Sequence, residues 1–215
     1  MTVQVQDVQD FMKVVEGRRS VRSYEPADIS KEVLKEILET ATLAPSSSNM
    51  QPWRFLVAHD KESKSKLESA VLDFNKQRVA EASVGIVVLG DLKGYEKAED
   101  IYSQAVKAGY MTEEFKAQFV QNSLNLYGSL PQDKLKEIAL VDGGLVSMQL
   151  MLAARAKGYD TLPMGGYDPV KLKELFGISD QYVPVMVIAL GKAAQEGRPT
   201  TRLPIDKVTF WNSMA

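Results

Sequence analysis

The chain has 215 residues, 45% hydrophobic and 25% charged, with 26 Lys+Arg against 28 Asp+Glu. That is enough for one domain with a full core, and too balanced for general nucleic-acid binding, so any basic site must be local. There is no cysteine and only one histidine, His59, which excludes disulfides, thiolate catalysis, zinc–thiolate and iron–sulfur sites and any histidine-rich metal centre, so a bound cofactor would have to carry hard chemistry.

The first ten residues carry acids and amides rather than a basic then apolar segment, and no run of eighteen apolar residues follows. A cytoplasmic protein that neither crosses nor binds a membrane is expected. Val8, Phe11, Met12 and Val15 form a helical stripe ending at Gly17. A second helix starts after Ser30, with Glu32 in its first turn and Val33, Leu34, Ile37, Leu38 and Ala41 on one face; it ends before Pro45. Residues 53–58 read as a strand, 61–81 as one helix, and 84–90 as a strand apolar enough to be buried on both faces.

Residues 95–127 are polar and helical with a weaker apolar pattern, an excursion from the core with the character of a lid. A long helix then runs from near Pro131 to Gly158, with residues 145–154 apolar nearly all round and so expected to be buried on most sides. The Gly143-Gly144 pair inside it costs about 1 kcal/mol per glycine against alanine, which suggests close packing against another backbone, such as a second copy of this helix. A short strand into Leu162-Pro163-Met164, a helix capped by Asp168 with Pro169 at its first position, and a strand over 183–190 complete the pattern. The tail, residues 192–215, has aromatic residues but no period, and must pack on its own domain or on a partner. With no repeat and no linker, residues 1–215 read as a single α+β domain, a small, mostly antiparallel sheet flanked by helices.

Four segments hold groups that could carry chemistry. Arg18-Arg19-Ser20-Val21-Arg22 sets three guanidinium groups and a hydroxyl just after a helix end, which suits phosphate oxygens or, equally, a solvated basic turn. The run from Pro45 through Ser46, Ser47, Ser48, Asn49, Met50 and Gln51 to Pro52 is rich in donors and acceptors and leads directly into a strand; it reads as a ligand loop or an ordinary turn. Met164-Gly165-Gly166 ends a strand, where paired glycines allow a flat ligand to approach the backbone. Thr200-Thr201-Arg202 adds hydroxyls and a cation in the tail. His59 reads as a strand-end residue, and Asp142, beside the glycine pair, as a structural hydrogen-bond acceptor.

In this order the segments resemble the nitroreductase family of flavoproteins: the Arg-Arg-Ser-x-Arg start, the Pro-Ser-x-x-Asn-x-Gln-Pro-Trp loop, the Phe74-Asn75 pair, the Pro-x-x-Gly strand end and the closing Arg-Leu-Pro, spread over residues 18–204. The resemblance implies an intertwined homodimer with exchanged tails, FMN as cofactor, and NADH or NADPH as co-substrate. It implies that Arg18, Ser20 and Arg202 hold the FMN phosphate with help from Arg19 and Thr200. Arg22, Asn75 and Arg78 would lie at the pyrimidine edge, with the Met164–Gly165–Gly166 backbone near N5. Pro45, Ser46, Ser47 and Asn49 would reach the flavin held mainly by the other subunit. No metal and no catalytic acid or base is implied: the flavin carries the chemistry, tuned by Arg22 and Arg78, whose guanidinium groups keep their protons.

Two departures matter. Some members carry an acid where this chain has Gly165, and some a lysine where it has Thr200. The implied activity is ping-pong transfer of hydride from NAD(P)H to a small acceptor such as a nitroaromatic or quinone. Enone or aldehyde reduction, dehalogenation and non-catalytic flavin binding are alternatives on the same scaffold.

Overall fold

The computed structural model describes residues 11–214. Its elements are α1 (Phe11–Gly17), β1 (Tyr24–Glu25), α2 (Lys31–Ala41), β2 (Trp53–Ala58), α3 (Lys61–Ala70), α4 (Asp73–Glu81), β3 (Val84–Asp91), α5 (Ala98–Lys107), α6 (Glu113–Gly128), α7 (Gln132–Ala156), β4 (Asp160–Met164), α8 (Pro169–Phe176) and β5 (Tyr182–Ala193). Val8, expected in the first helix, lies outside the described residues.

The strands form one sheet in which every ladder is antiparallel. β2 pairs with β3, β3 with β5, and β5 also with β4 and β1. β3 is buried along its whole length, as its unbroken apolar run requires. Its alternating side chains feed two cores. Val84, Ile86 and Val88 pack with Leu34 and Ile37 of α2 and Val146 and Leu150 of α7. Val87 and Leu89 pack with Leu67 of α3, Val79 of α4 and Leu172 of α8. The architecture is therefore helices on both faces of a small sheet. Gly85 lets α3 close on that sheet: a Cβ there would stand 2.3 Å from Leu67 Cδ2.

The helix starts follow their caps. Ser30 accepts a hydrogen bond from Val33 N, and Asp168 accepts from Val170 N and Lys171 N ahead of α8. Two expectations need correction. Residues 61–81 form two helices, because Val71 takes extended backbone and bridges to Tyr167 while Leu72 N donates to the Gly166 carbonyl. Helical periodicity carries across that break, so tertiary pairing makes it. Gly143 packs against β5, where a Cβ would meet Val185 at 2.7 Å, while Gly144 faces open space. Residues 145–154 of α7 are buried on most sides, as expected, with Leu145 and Met148 exposed, as are Leu140 and Val141 before them. By length and composition α7 is apolar enough to cross a membrane, but half of its apolar window is buried inside the fold.

Residues 94–128 build a separate small core over the loop that precedes β2. Tyr102 of α5 and Tyr127 of α6 bury their rings around Met50, with Tyr95 stacked on Tyr127 at 6.0 Å.

Candidate functional site

The arginine-rich segment leaves α1 and runs beside β4, where Ser20 bridges Thr161 and Val21 N donates to the Thr161 carbonyl at 3.1 Å. The chain after β5 crosses the same place: a Cβ on Gly197 would stand 2.4 Å from Arg19 Cβ. This crossing brings Arg202 within electrostatic reach of Arg18. Burial, then the charges of Arg202 and Arg19, pull the Arg18 guanidinium below its ordinary value. None of the ion pairs among the described residues involves Arg18, Arg19, Arg22, Arg78 or Arg202. Among the described residues the Arg202 guanidinium bonds to its neighbours, Thr200 Oγ1 at 2.9 Å and the Thr201 carbonyl at 2.8 Å. Three cations gathered with no ion-pair partner among the described residues have the charge and donors to take up an anion.

The far end of β4 carries a second group of predicted residues. Asn75 is almost fully buried; its Nδ2 donates to the Gly166 carbonyl at 3.0 Å and its Oδ1 accepts from Arg78 Nη1 at 2.7 Å. A side chain at Gly166 would crowd its neighbours, since a Cβ would lie 3.0 Å from both Asn75 Nδ2 and Phe74 Cζ, whereas Gly165 is exposed with nothing within 4 Å. Met164 is buried in the core beside Val187, so only its backbone could face a ligand. Arg22 and Arg78 come together electrostatically: both bear on the hydroxyl of Tyr24, whose pKa is nonetheless raised, first by burial and then by Asp160. Arg22 is exposed, held only through the Ser20 carbonyl at 3.1 Å.

The serine-rich loop is built differently. Ser48, Asn49 and Gln51 all have positive φ, at 50°, 57° and 47°. Left-handed backbone at residues other than glycine costs of order 1–3 kcal/mol each and persists only where surrounding contacts over-determine it. Those contacts are present. Ser46 Oγ accepts from Gln51 N at 3.0 Å, and Ser47 N and Oγ donate to the Asp142 carboxylate at 3.2 Å. Arg54 donates to the Gln51 carbonyl at 3.1 Å while paired at 2.7 Å with buried Asp91. Tyr127 and Tyr102 donate to Ser48 Oγ and to the Ser48 carbonyl, at 2.9 and 3.1 Å. Pro45, Ser48 and Asn49 stay exposed on this scaffold. Asp142 is the structural acceptor its position suggested; burial pushes its carboxyl above the ordinary carboxylate range despite the two Ser47 bonds.

Sequence reasoning missed Tyr102, Tyr127, Arg54 and Asp91. Three adjacent hydroxyls needing partners were the available signal, but nothing local names the partners. The expected residues therefore fall into two groups. Arg18, Arg19, Ser20, Thr200 and Arg202, with Arg22, Asn75, Arg78 and residues 164–166, line β4. Pro45, Ser46, Ser47 and Asn49 sit by Asp142 in α7. The Arg18 end lies beside Arg155, which a Cβ on Gly17 would approach to 3.2 Å. Thirteen residues of helix separate Asp142 from Arg155, about 20 Å at 1.5 Å per residue.

Residues 15–192 match the model described as the Nitroreductase family. The chain is 50% identical over 204 residues to a Bacillus subtilis (strain 168) protein named as an NAD(P)H nitroreductase, YdgI, covering 94% of this chain and 97% of that one. It is 38% identical over 195 residues to the CLA biosynthesis enone reductase of Lactiplantibacillus plantarum, covering 90% of each. A nitroreductase from Exiguobacterium sibiricum, solved in complex with FMN, superposes with a TM-score of 0.92 at 48% identity, covering 96% of this chain and 99% of the other.

Proposed function

This chain belongs to the nitroreductase family and is an NAD(P)H-dependent flavin oxidoreductase, and we propose that it works as a homodimer, by ping-pong, on a small acceptor such as a nitroaromatic or a quinone. The observation that supports it is the cluster of Arg18, Arg19 and Arg202 beside Ser20, with no ion-pair partner among the described residues, continued along β4 into the Gly166–Asn75–Arg78 network. A phosphate fits the first and a flat polar ring edge the second. FMN has both, and it supplies the hydride relay at N5 between NAD(P)H and the acceptor.

The chain's own residues bind and tune. Arg18, Arg19, Ser20, Thr200 and Arg202 hold the phosphate by charge-assisted hydrogen bonds. Asn75 and Arg78 fix the pyrimidine edge, with the Arg22 charge beside them. The bare Gly165–Gly166 backbone leaves one ring face open, where NAD(P)H and the acceptor take turns.

The second subunit supplies the serine loop. A loop about 20 Å along α7 from the phosphate cluster is better placed for a partner's flavin than for its own. The outward face of α7 and the tail support this: Val141 is 63% and Trp211 81% exposed, with Leu145, Met148, Leu203, Ile205 and Phe210 also open. A second reading, reduction of an enone, rests on the 38% identity to the Lactiplantibacillus plantarum enzyme.

The test is direct. The purified protein is expected to sediment as a yellow dimer, release FMN rather than FAD on denaturation, lose its colour with NADH or NADPH, and regain it with a quinone, a nitroaromatic or an enone. A colourless protein that fails to take up added FMN would overturn the reading.

A further inference from the structure

Hydrogen bonds join the segment 95–128 to the serine loop at Ser48, beside the apolar contact at Met50, and the joint has a specific geometry. Tyr127 near the end of α6 donates its hydroxyl to Ser48 Oγ at 2.9 Å. Tyr102 of α5 donates to the Ser48 carbonyl at 3.1 Å and lies 3.3 Å from Ser123 Oγ. Both rings are buried, and each is fixed by a further aromatic contact: Tyr127 stacks on Tyr95, and Tyr102 meets Phe119 edge-on at 5.7 Å. Beneath Ser48, Met50 is buried in the same small core.

Ser48 is also the first of the left-handed residues, and Asn49 is the next. A residue in that conformation holds it only while its contacts do. The two tyrosine hydroxyls therefore set the aim of exposed Asn49, while Asp142 holds Ser47 from below. A shift of α5 and α6 is passed to the loop at Ser48 through these hydrogen bonds and at Met50 through packing.

We propose that Tyr102 and Tyr127 are positioning residues that couple helices α5 and α6 to the Ser48–Asn49 segment, so that the packing of these helices sets the angle at which the loop meets the flavin and its acceptor. This rests on the reading of the loop as part of the flavin site. The coupling is reciprocal: loosening Ser48 loosens the helices, and loosening the helices frees Asn49.

A double-mutant cycle on the FMN-loaded enzyme tests this, with Tyr127→Phe, which removes one hydroxyl and keeps the ring, and Ser48→Ala, which removes the hydroxyl that accepts from it. The probe acceptor is 1,4-benzoquinone. Each single variant is expected to lower kcat/KM for the quinone about two- to tenfold, the range of one neutral hydrogen bond. The double variant is expected to fall no further than the singles, because both remove the same contact. The dissociation constant for FMN stays at the parent value. Hydrogen exchange gives the second readout: each variant is expected to speed exchange in residues 47–51 and in α5–α6 together. Single variants that leave kcat/KM unchanged, effects that multiply in the double variant, or faster exchange on one side only would each overturn the coupling. A parent enzyme that binds no FMN would instead overturn the functional reading beneath it.

Discussion

The two halves of the proposed site are prepared for a ligand in opposite ways. Along β4, Arg18, Arg19 and Arg202 crowd together with no ion-pair partner among the described residues, and burial first, then their mutual repulsion, lowers the Arg18 pKa. That half is defined by what it lacks. In the serine loop nearly every polar group is already engaged: Ser46 with Gln51, Ser47 with Asp142, Ser48 with two tyrosines. That half is defined by what holds it, and the hydrogen bonds are spent on keeping three residues in left-handed backbone. An anion site gains affinity by leaving charges unmatched until the ligand comes. A loop that must present exposed Pro45 and Asn49 at a fixed angle gains by being rigid beforehand. Substitutions in the first half should therefore alter binding, and those in the second should alter geometry.

The largest effect is expected at the phosphate end. Arg202→Ala removes one charge-assisted hydrogen-bond donor, worth about 1.5–3 kcal/mol. FMN affinity should weaken by roughly ten- to a hundredfold at 1.4 kcal/mol per decade, while turnover at saturating FMN stays near the parent value. Fluorescence titration of the apoprotein reads the first and steady-state kinetics the second. A variant that binds FMN normally but turns over slowly would place Arg202 at the ring rather than at the phosphate.

Arg22→Ala sharpens the same division at smaller scale. Arg22 is exposed and near Arg78 in its electrostatic influence on Tyr24. Removing its charge should lower the two-electron potential of the bound flavin by a few tens of millivolts, about 30 mV being 1.4 kcal/mol for a two-electron couple. Spectroelectrochemical titration beside Arg202→Ala separates the roles. If Arg202→Ala moves the potential and Arg22→Ala does not, the two assignments are exchanged.

This division also marks how far the sequence could be read. The residues along β4 were legible because each is a local signal: an arginine triplet after a helix end, a glycine pair after a strand. The caps at Ser30 and Asp168 and the buried strand β3 were legible for the same reason. The features that escaped depend on distant partners. The break between α3 and α4 follows from Val71 pairing with Tyr167, and periodicity passes over it. Ser48 meets Tyr102 and Tyr127 across 54 and 79 residues of chain, and no propensity encodes such a meeting. β1 is two residues long and exists only because β5 extends to Ala193. Gly143-Gly144 suggested close packing, and the structure divides the pair: one glycine serves β5 and the other an open face.

The smallest effect is expected at Asp142, where the loop half can be probed through the buried carboxyl that accepts from Ser47. Its carboxyl lies under Ser47, and burial raises its pKa above the unfolded value, with the Ser47 bonds opposing. The sign follows from proton uptake. Between the unfolded and the raised folded pKa the native state binds more protons than the unfolded one, so stability falls as pH rises through that window and stays reduced above it. Asp142→Asn keeps an oxygen that can accept from Ser47 but cannot ionise. Relative to the parent, it should lose little at acidic pH and gain steadily as pH rises past the ordinary carboxylate range. The quantity to follow is the difference in Tm between variant and parent from acidic to neutral pH, readable because 1 kcal/mol moves Tm by about 2–4 °C in a domain of this size. All other titrating groups cancel in that difference. A difference that is flat with pH would mean the carboxylate is not raised in the folded protein. One that falls with pH would mean its charge strengthens the Ser47 contact by more than burial opposes it, and the loop would then be held by an ion rather than by a dipole.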